Sequence, residues 1–157
     1  MSDSGEPREQ IFRFFNEIGI IEQLARNQFE RIMPEGMRLA HFSVLNHFVR
    51  LGGEQSPASL ANAFQVTKGA MTNTLQRLES KGFIEIRPDP EDGRGKLVQI
   101  TESGRQAHIR AIRALGPLLE FAVQSLNADQ FAQAVPFLEK VRIFLDENRN
   151  FPAGESG

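Results

Sequence analysis

Residues 56–101 read SPASLANAFQVTKGAMTNTLQRLESKGFIEIRPDPEDGRGKLVQIT, and the first part of this segment predicts a short helix. Ser56 followed by Pro57 is a strong helix start, because a serine hydroxyl can accept an orphan backbone N–H and proline suits the first helical position. The helix is expected to continue through Phe64. Only Gln65 and Val66 then precede Thr67, the N-cap of the next predicted helix.

That pattern predicts a second helix over residues 68–81. Thr67 offers an N-cap, and Gly82 supplies the flexible backbone with which helices often end. One face of the predicted helix carries the apolar side chains of Met71, Leu75 and Leu78. Two helices joined by so short a turn are typical of a helix-turn-helix motif.

A hairpin is predicted after the second helix. Residues 84–87 alternate apolar and polar side chains, and residues 97–100 are rich in β-forming types, so each segment is expected to form a strand. The nine residues between them, 88–96, include two prolines and two glycines. A loop of this length and composition is expected to project as a wing instead of turning tightly.

The remaining segments predict further helices. Apolar residues recur at spacings of three and four over residues 11–32, which indicates a long first helix. A second pattern, residues 39–49, runs to a pair of glycines. After the hairpin, Thr101 is expected to cap a long helix through Leu126, and a last amphipathic helix begins near Asn127. The predicted fold class is mainly α with a small antiparallel β-hairpin wing.

The composition excludes several kinds of chemistry. Of 157 residues, 40% are hydrophobic and 24% are charged, which are ordinary values for a soluble globular protein, and none is Cys. The absence of Cys excludes disulfides, thiolate catalysis and Cys-ligated zinc. No apolar run approaches the ~20 residues that cross a bilayer, and the acidic N-terminus gives no export signal. We therefore expect a cytoplasmic protein without a membrane partner.

The overall charge gives only weak support for a nucleic-acid partner. The formal net charge is −2, whereas phosphate binding depends on a local excess of Lys and Arg. Residues 50–110 contain nine basic residues against seven acidic ones, an excess of +2. Any DNA binding must therefore come from a focused patch, and it should weaken strongly as salt is raised.

A more specific pattern lies in the wing and the segment after it. It consists of Asp-x-Arg, a hydrophobic strand and Thr-x-x-Gly, and its residues are Asp92, Arg94, Val98, Ile100, Thr101 and Gly104. Further residues of the same pattern are Leu60, Ala61, Thr72 and the segment 78–84. With these residues and its order of helices, the chain resembles the MarR family (multiple antibiotic resistance regulator) over nearly its whole length.

The resemblance implies one domain over residues 1–157, a winged helix-turn-helix with terminal helices that form a dimerisation lobe. Residues 8–33 and about 102–150 would be dimerisation helices that interleave with those of a second copy. Residues about 37–101 would form the DNA-binding lobe. The terminal helices carry more apolar surface than one small winged domain could cover, although a self-contained helical subdomain is the alternative to a homodimer.

The function that the resemblance implies is sequence-specific regulation of transcription, more often repression than activation. The partner would be double-stranded DNA, bound at a pseudo-palindromic operator with half-sites about one helical turn apart. The family also implies release from DNA by a small aromatic effector, for which the sequence assigns no binding residues.

The second helix of such a motif lies in the major groove with its N-terminal residues against base edges. The candidates for base contact are Lys68, Gly69, Thr72 and Asn73. Arg77, one turn further on, is better placed for phosphate. The family often has proline at the position of Gly69 and arginine at that of Asn73, so we expect an unusual operator. An ordinary solvated helix face would carry the same residue types, which is the alternative interpretation.

The wing is expected to make a second contact with DNA. Arg94 is predicted to enter the minor groove, where negative potential is concentrated. Asp92 is predicted to orient Arg94 by holding its guanidinium. Arg87 and Lys96 would contact phosphates. Because carboxylates of the loop balance these cations, a solvated loop without net charge is the alternative.

Other function classes have less support in the sequence. The three histidines, His41, His47 and His108, form no nucleophile or metal spacing with a neighbour, so we expect no enzyme, no cofactor and no metal site. A winged-helix module that binds protein instead of DNA is the main alternative function.

Overall fold

The computed structural model describes residues 5–151, which form helices and one two-stranded hairpin. In chain order the elements are α1 (Glu6–Ile32), a single 3-10 turn (Pro34–Gly36), α2 (Leu39–Leu51), α3 (Pro57–Phe64), α4 (Lys68–Ser80), β1 (Ile84–Pro88), β2 (Lys96–Ile100), α5 (Glu102–Ser125) and α6 (Ala128–Glu147). This order confirms the predicted mainly α fold with an antiparallel hairpin. Two predicted caps are also confirmed, because Ser56 accepts the N–H of Ser59 and Thr67 accepts that of Ala70, each at 3.1 Å.

The chain divides into two compact units, and the division falls within α5, between Gly116 and Pro117. The first unit contains α1 to α4, the hairpin and the first part of α5. The second contains the rest of α5 and all of α6. Every residue that the sequence predicts to touch DNA belongs to the first unit.

The core of the first unit is built mainly from α2, α3, α4 and the hairpin. Its largest fully buried side chains are Val44, Leu45, Phe48, Leu60, Leu75, Leu78 and Val98. Burying one such side chain stabilises the fold by roughly 1.5–3 kcal/mol. The apolar face of α4 is held against this core, and this fixes which of its other side chains point into solvent.

The hairpin is longer than predicted, and its loop is shorter. The two strands pair antiparallel, and the pairing continues to Pro88 opposite Lys96. The loop is therefore residues 89–95 and not the predicted 88–96. Proline can occupy the end of a strand because its missing N–H is not needed for pairing there.

A short link between α2 and α3 pairs with the other edge of β2. The N–H of Gln55 donates to the Val98 carbonyl at 3.0 Å, and the N–H of Val98 donates to the Gln55 carbonyl at 2.8 Å. Gly52 and Gly53 precede this contact with φ of +68° and +72°, a backbone conformation that glycine adopts without steric cost. The link is thereby fixed to the base of the wing.

The Thr-x-x-Gly pattern fastens α5 to the turn between α4 and β1. The Thr101 hydroxyl donates to the Gly82 carbonyl at 2.6 Å and accepts the N–H of Gly104 at 3.0 Å. The N–H of Thr101 donates to the Phe83 carbonyl at 3.0 Å. A Cβ on Gly104 would lie 2.0 Å from the Phe83 carbonyl oxygen. Only glycine therefore fits at this crossing.

Each unit exposes large apolar side chains. No residue of α1 and none of α6 is buried. On α1 the exposed large apolar side chains are Ile11, Phe12, Phe15, Ile20, Ile21 and Leu24, and on α6 they are Phe131, Val135, Phe137, Leu138, Ile143, Phe144 and Leu145. Faces of this extent are typical of interaction surfaces. Within residues 5–151, no helix has an apolar run long enough to span a bilayer.

Candidate nucleic-acid interface

The candidate DNA-contacting residues of α4 lie on its solvent side. The buried residues of this helix are Met71, Leu75 and Leu78, which belong to the core. The exposed residues include Lys68, Gly69, Thr72, Asn73 and Arg77. These five residues are therefore exposed, as the apolar spacing in the sequence predicts.

The hydroxyl of Thr72 is engaged within α4. It donates to the carbonyl of Lys68 at 2.8 Å. While this bond is present, the hydroxyl can accept but not donate, so it cannot bind a phosphate oxygen, which only accepts. In this state Thr72 offers DNA its methyl group, which suits the methyl of thymine. This geometry favours a base contact for Thr72 over a phosphate contact.

Gly69 leaves open space in the first turn of α4. No atom lies within 4 Å of the position that a Cβ would take, and its backbone is not in the left-handed region. The fold therefore does not require glycine here, although glycine within a helix costs about 0.5–1 kcal/mol relative to alanine. What this glycine provides is close access to the helix backbone.

The wing loop is held by hydrogen bonds of its own. The Asp92 carboxylate accepts the backbone N–H of Arg94 at 3.1 Å, and the Asp92 carbonyl accepts that of Gly95 at 2.9 Å. The Asp89 carboxylate accepts the N–H of Glu91 at 2.9 Å, and the N–H of Asp89 donates to the Gly95 carbonyl at 3.0 Å. The bond predicted on the Arg94 guanidinium is found on the Arg94 backbone. Asp92 therefore shapes the loop that carries Arg94.

Arg87 is half-buried and already paired. Its guanidinium donates to the carboxylate of Glu54, in the link between α2 and α3. This hydrogen bond, followed by the Coulomb attraction of the same carboxylate, raises the pKa of Arg87 above its ordinary value. Glu54 is not among the residues predicted from the sequence, because it is distant from Arg87 along the chain and no local spacing relates the two.

A groove of about 610 Å³ lies between α4 and the wing. Its polar lining consists of Thr72, Gln76, Glu79, Arg87, Arg94 and Lys96. Three of these side chains are cationic and one is anionic, so the lining has a positive balance. The groove brings Thr72 together with the three cations predicted on the hairpin. The other four candidates on α4 do not line it; they are Lys68, Gly69, Asn73 and Arg77.

Arg77 faces a different part of the first unit, near His41 of α2. The imidazole of His41 is buried, and its Nδ1 accepts the backbone N–H of Arg38 at 3.1 Å. Burial lowers the pKa of His41, and the positive charges of Arg77, Lys81 and Arg38 lower it further. Arg77 therefore extends the positive charge of α4 away from the wing groove.

The other two histidines pack against aromatic rings. His108 stacks on Phe42 with ring centroids 5.2 Å apart, and its Nε2 is hydrogen-bonded to Oδ1 of Asn46 at 3.0 Å. His47 packs against Phe64 at 5.3 Å. In the part of the chain that the structure describes, no group of three or more His, Asp or Glu side chains could hold a metal ion.

Known proteins share this sequence pattern. Residues 35–95 match the family described as MarR family. The chain is 33% identical to the multiple antibiotic resistance protein MarR of Escherichia coli (strain K12) over 113 residues, which are 71% of this chain and 78% of that protein. It is 31% identical to the HTH-type transcriptional repressor NicR of Pseudomonas putida over 96 residues, which are 61% of this chain and 60% of that protein.

Solved structures share the fold. A mutant of MarR from Escherichia coli complexed with operator DNA is similar with a TM-score of 0.69 at 30% identity, covering 84% of this chain and 95% of that one. The transcriptional regulator BldR from Sulfolobus solfataricus is similar with a TM-score of 0.71 at 23% identity, covering 89% of this chain and 99% of that one. The second comparison supports the fold alone.

Proposed function

Because this chain belongs to the MarR family of winged-helix transcriptional regulators, we propose that it represses transcription as a homodimer bound to a pseudo-palindromic operator. The curated relatives include a transcriptional repressor, and one similar structure contains operator DNA. One observation carries the proposal: the five candidates of α4 are exposed, and a basic groove collects Thr72 and three hairpin cations. Such a surface can hold backbone phosphates while α4 meets base edges.

The homodimer is supported by the apolar faces of α1 and α6, each of which lacks a buried residue. Residues 8–33 and about 102–150 would supply the dimerisation helices, and residues about 37–101 the DNA-binding lobe. Two copies related by a twofold axis would present two α4 helices to half-sites about one helical turn apart. A pseudo-palindromic operator follows from that symmetry.

Titration against labelled duplex DNA from the region upstream of the gene tests this function. We expect binding at low salt that weakens steeply as salt is raised, with a slope that corresponds to several phosphates. Lys68→Gln and Arg94→Gln should each lower the affinity. Arg50→Gln removes one exposed cation of α2 that is neither a predicted DNA contact nor part of the predicted dimerisation helices, so it should leave the affinity unchanged.

Two results would overturn the repressor proposal. One is the absence of binding at low salt, and the other is binding that does not respond to salt. Either result would favour the alternative of a winged-helix module that binds protein.

The proposal includes release from DNA by a small aromatic effector. A small aromatic acid that binds where α1, α2 and α5 meet would change the spacing of the two α4 helices in a dimer. That place is aromatic, because Phe29 packs on Phe42 at 5.0 Å and Phe42 stacks on His108. A screen of aromatic carboxylates for release of labelled DNA tests this idea, and release by none of them would contradict it. The readout must be the DNA label, since the chain contains no Trp.

A further inference from the structure

The three cations of the groove differ in their partners. Arg87 donates to the carboxylate of Glu54. Among the residues that the structure describes, no ion pair engages Arg94 or Lys96. Of the three, Arg87 is therefore the one that already has a counter-ion before DNA arrives.

The backbone holds Glu54 beside Arg87. Gln55, the next residue, exchanges two backbone hydrogen bonds with Val98 of β2. Arg87 lies on β1, which pairs with β2 along its whole length. Both members of the ion pair are thus attached to the same small sheet, and this holds the carboxylate next to the guanidinium.

A carboxylate in this position opposes the binding of phosphate. Both anions accept hydrogen bonds, and both need the donors of the Arg87 guanidinium. The side chains of Arg87 and Glu54 are 41% and 32% exposed, so water screens their attraction and phosphate can displace the carboxylate. When Arg87 contacts DNA, its guanidinium exchanges the Glu54 carboxylate for phosphate, whereas an unpaired arginine would exchange only water.

From this geometry we infer that Glu54 sets the affinity for DNA by competing with backbone phosphate for Arg87. The inference rests on the proposed DNA binding and adds a residue that lowers the affinity by acting on Arg87, without touching DNA itself. Phosphates carry no sequence information, so the competition lowers the affinity for every duplex by the same factor. At moderate salt the protein would therefore occupy DNA of arbitrary sequence only weakly. The operator would still be bound, because it also offers the full set of base contacts.

The test compares Glu54→Gln, Arg87→Gln and the double variant with the wild type. The probes are a duplex that the wild-type protein selects from a random library and a duplex of scrambled sequence. Glu54→Gln should bind both probes roughly two- to fivefold more tightly. The slope of log affinity against log salt should become steeper by up to about 0.9, the value of one further phosphate contact. In the Arg87→Gln background, Glu54→Gln should increase the affinity less, because the guanidinium for which carboxylate and phosphate compete is absent.

Glu79→Gln is the matched control. Glu79 lines the same groove from α4, so Glu79→Gln removes one negative charge, as Glu54→Gln does. The carboxylate that accepts from Arg87 is that of Glu54, and it stays in place in the control. Any increase in affinity that Glu79→Gln causes should be equal in the wild-type and the Arg87→Gln backgrounds. Thermal unfolding of each variant checks that the fold is retained.

The outcomes separate the inference from the function on which it rests. Weaker or unchanged binding by Glu54→Gln would overturn the inference, since Glu54 would then orient Arg87 for DNA or be irrelevant to it. An equal gain in the Arg87→Gln background would also overturn it. A wild-type protein that selects no duplex from the random library at low salt would instead overturn the proposed function.

Discussion

Gly104 is a residue of the family pattern whose role is structural. A Cβ at this position would lie 2.0 Å from the Phe83 carbonyl oxygen and 2.9 Å from Cγ1 of Ile100. Since the first of these atoms belongs to the backbone, Gly104→Ala should push α5 away from the hairpin and destabilise the protein by about 3 kcal/mol or more. Urea denaturation measures this change.

Gly93→Ala provides the control for Gly104→Ala. Gly93 has no atom within 4 Å of a Cβ and no left-handed backbone, so its substitution should leave the free energy of unfolding nearly unchanged. Equal stability of the two variants would show that the close approach at Gly104 does not constrain the fold.

His41 should make stability depend on pH. Its pKa in the folded protein is lowered from the ordinary 6.5, by burial first and then by nearby cations. Below pH 6.5 the unfolded chain therefore binds more protons than the folded one, and the free energy of unfolding falls as the pH falls. Burial also lowers the pKa of His108, which acts in the same direction. Urea denaturation between about pH 7.5 and 5.5 should show this loss.

His41→Gln separates the two histidines. Glutamine at the third helical position can still accept the backbone N–H of Arg38, as in an ordinary capping box, but it does not titrate. The variant should therefore lose part of the pH dependence and keep the part that comes from His108. A pH profile identical to that of the wild type would exclude His41 as a source.

At the scale of single elements, α4 depends on its cap. The Thr67 hydroxyl accepts the N–H of Ala70 at 3.1 Å, so Thr67→Ala should cost roughly 1 kcal/mol of stability. It should also weaken DNA binding, because fraying would begin in the turn that carries Lys68 and Gly69. Thr67→Ser keeps the oxygen and should retain most of both properties. If the alanine and serine variants bind DNA equally well, the cap does not support the interface.

The elements differ in how far the sequence predicts them. Apolar spacing and capping residues predict the helices, and the caps at Ser56 and Thr67 are found as expected. Such signals are local, and they miss contacts between distant segments. The pairing of Gln55 with β2 and the ion pair of Glu54 with Arg87 arise only after the chain has folded. The predicted Asp92 bond is similar, since composition cannot tell a backbone donor from a guanidinium.

For the whole molecule, the apolar faces of α1 and α6 lead to a prediction about association. Ile21 and Phe131 are 60% and 53% exposed. If these faces are covered by a second copy, Ile21→Asp and Phe131→Asp would bury unpaired charge and should shift the protein towards monomer. Light scattering after size-exclusion chromatography measures this shift.

Glu85→Gln is the control for association, because it changes an exposed residue of β1, outside the predicted dimerisation helices. It should remain as dimeric as the wild type. A wild-type protein that is monomeric at all concentrations tested would support the alternative of a self-contained helical subdomain.

The wing loop has a thermodynamic consequence. Fixing the backbone of one residue costs about 1–2 kcal/mol of conformational entropy. Ordering a disordered loop of this length during binding would therefore cost on the order of 10 kcal/mol. Asp89 and Asp92 already fix the path of residues 89–95. If Arg94 enters a groove of DNA as predicted, it would therefore give up mainly the freedom of its own side chain, about 2 kcal/mol at most. Two carboxylates that phosphate repels can in this way favour binding, by preorganising the unbound wing.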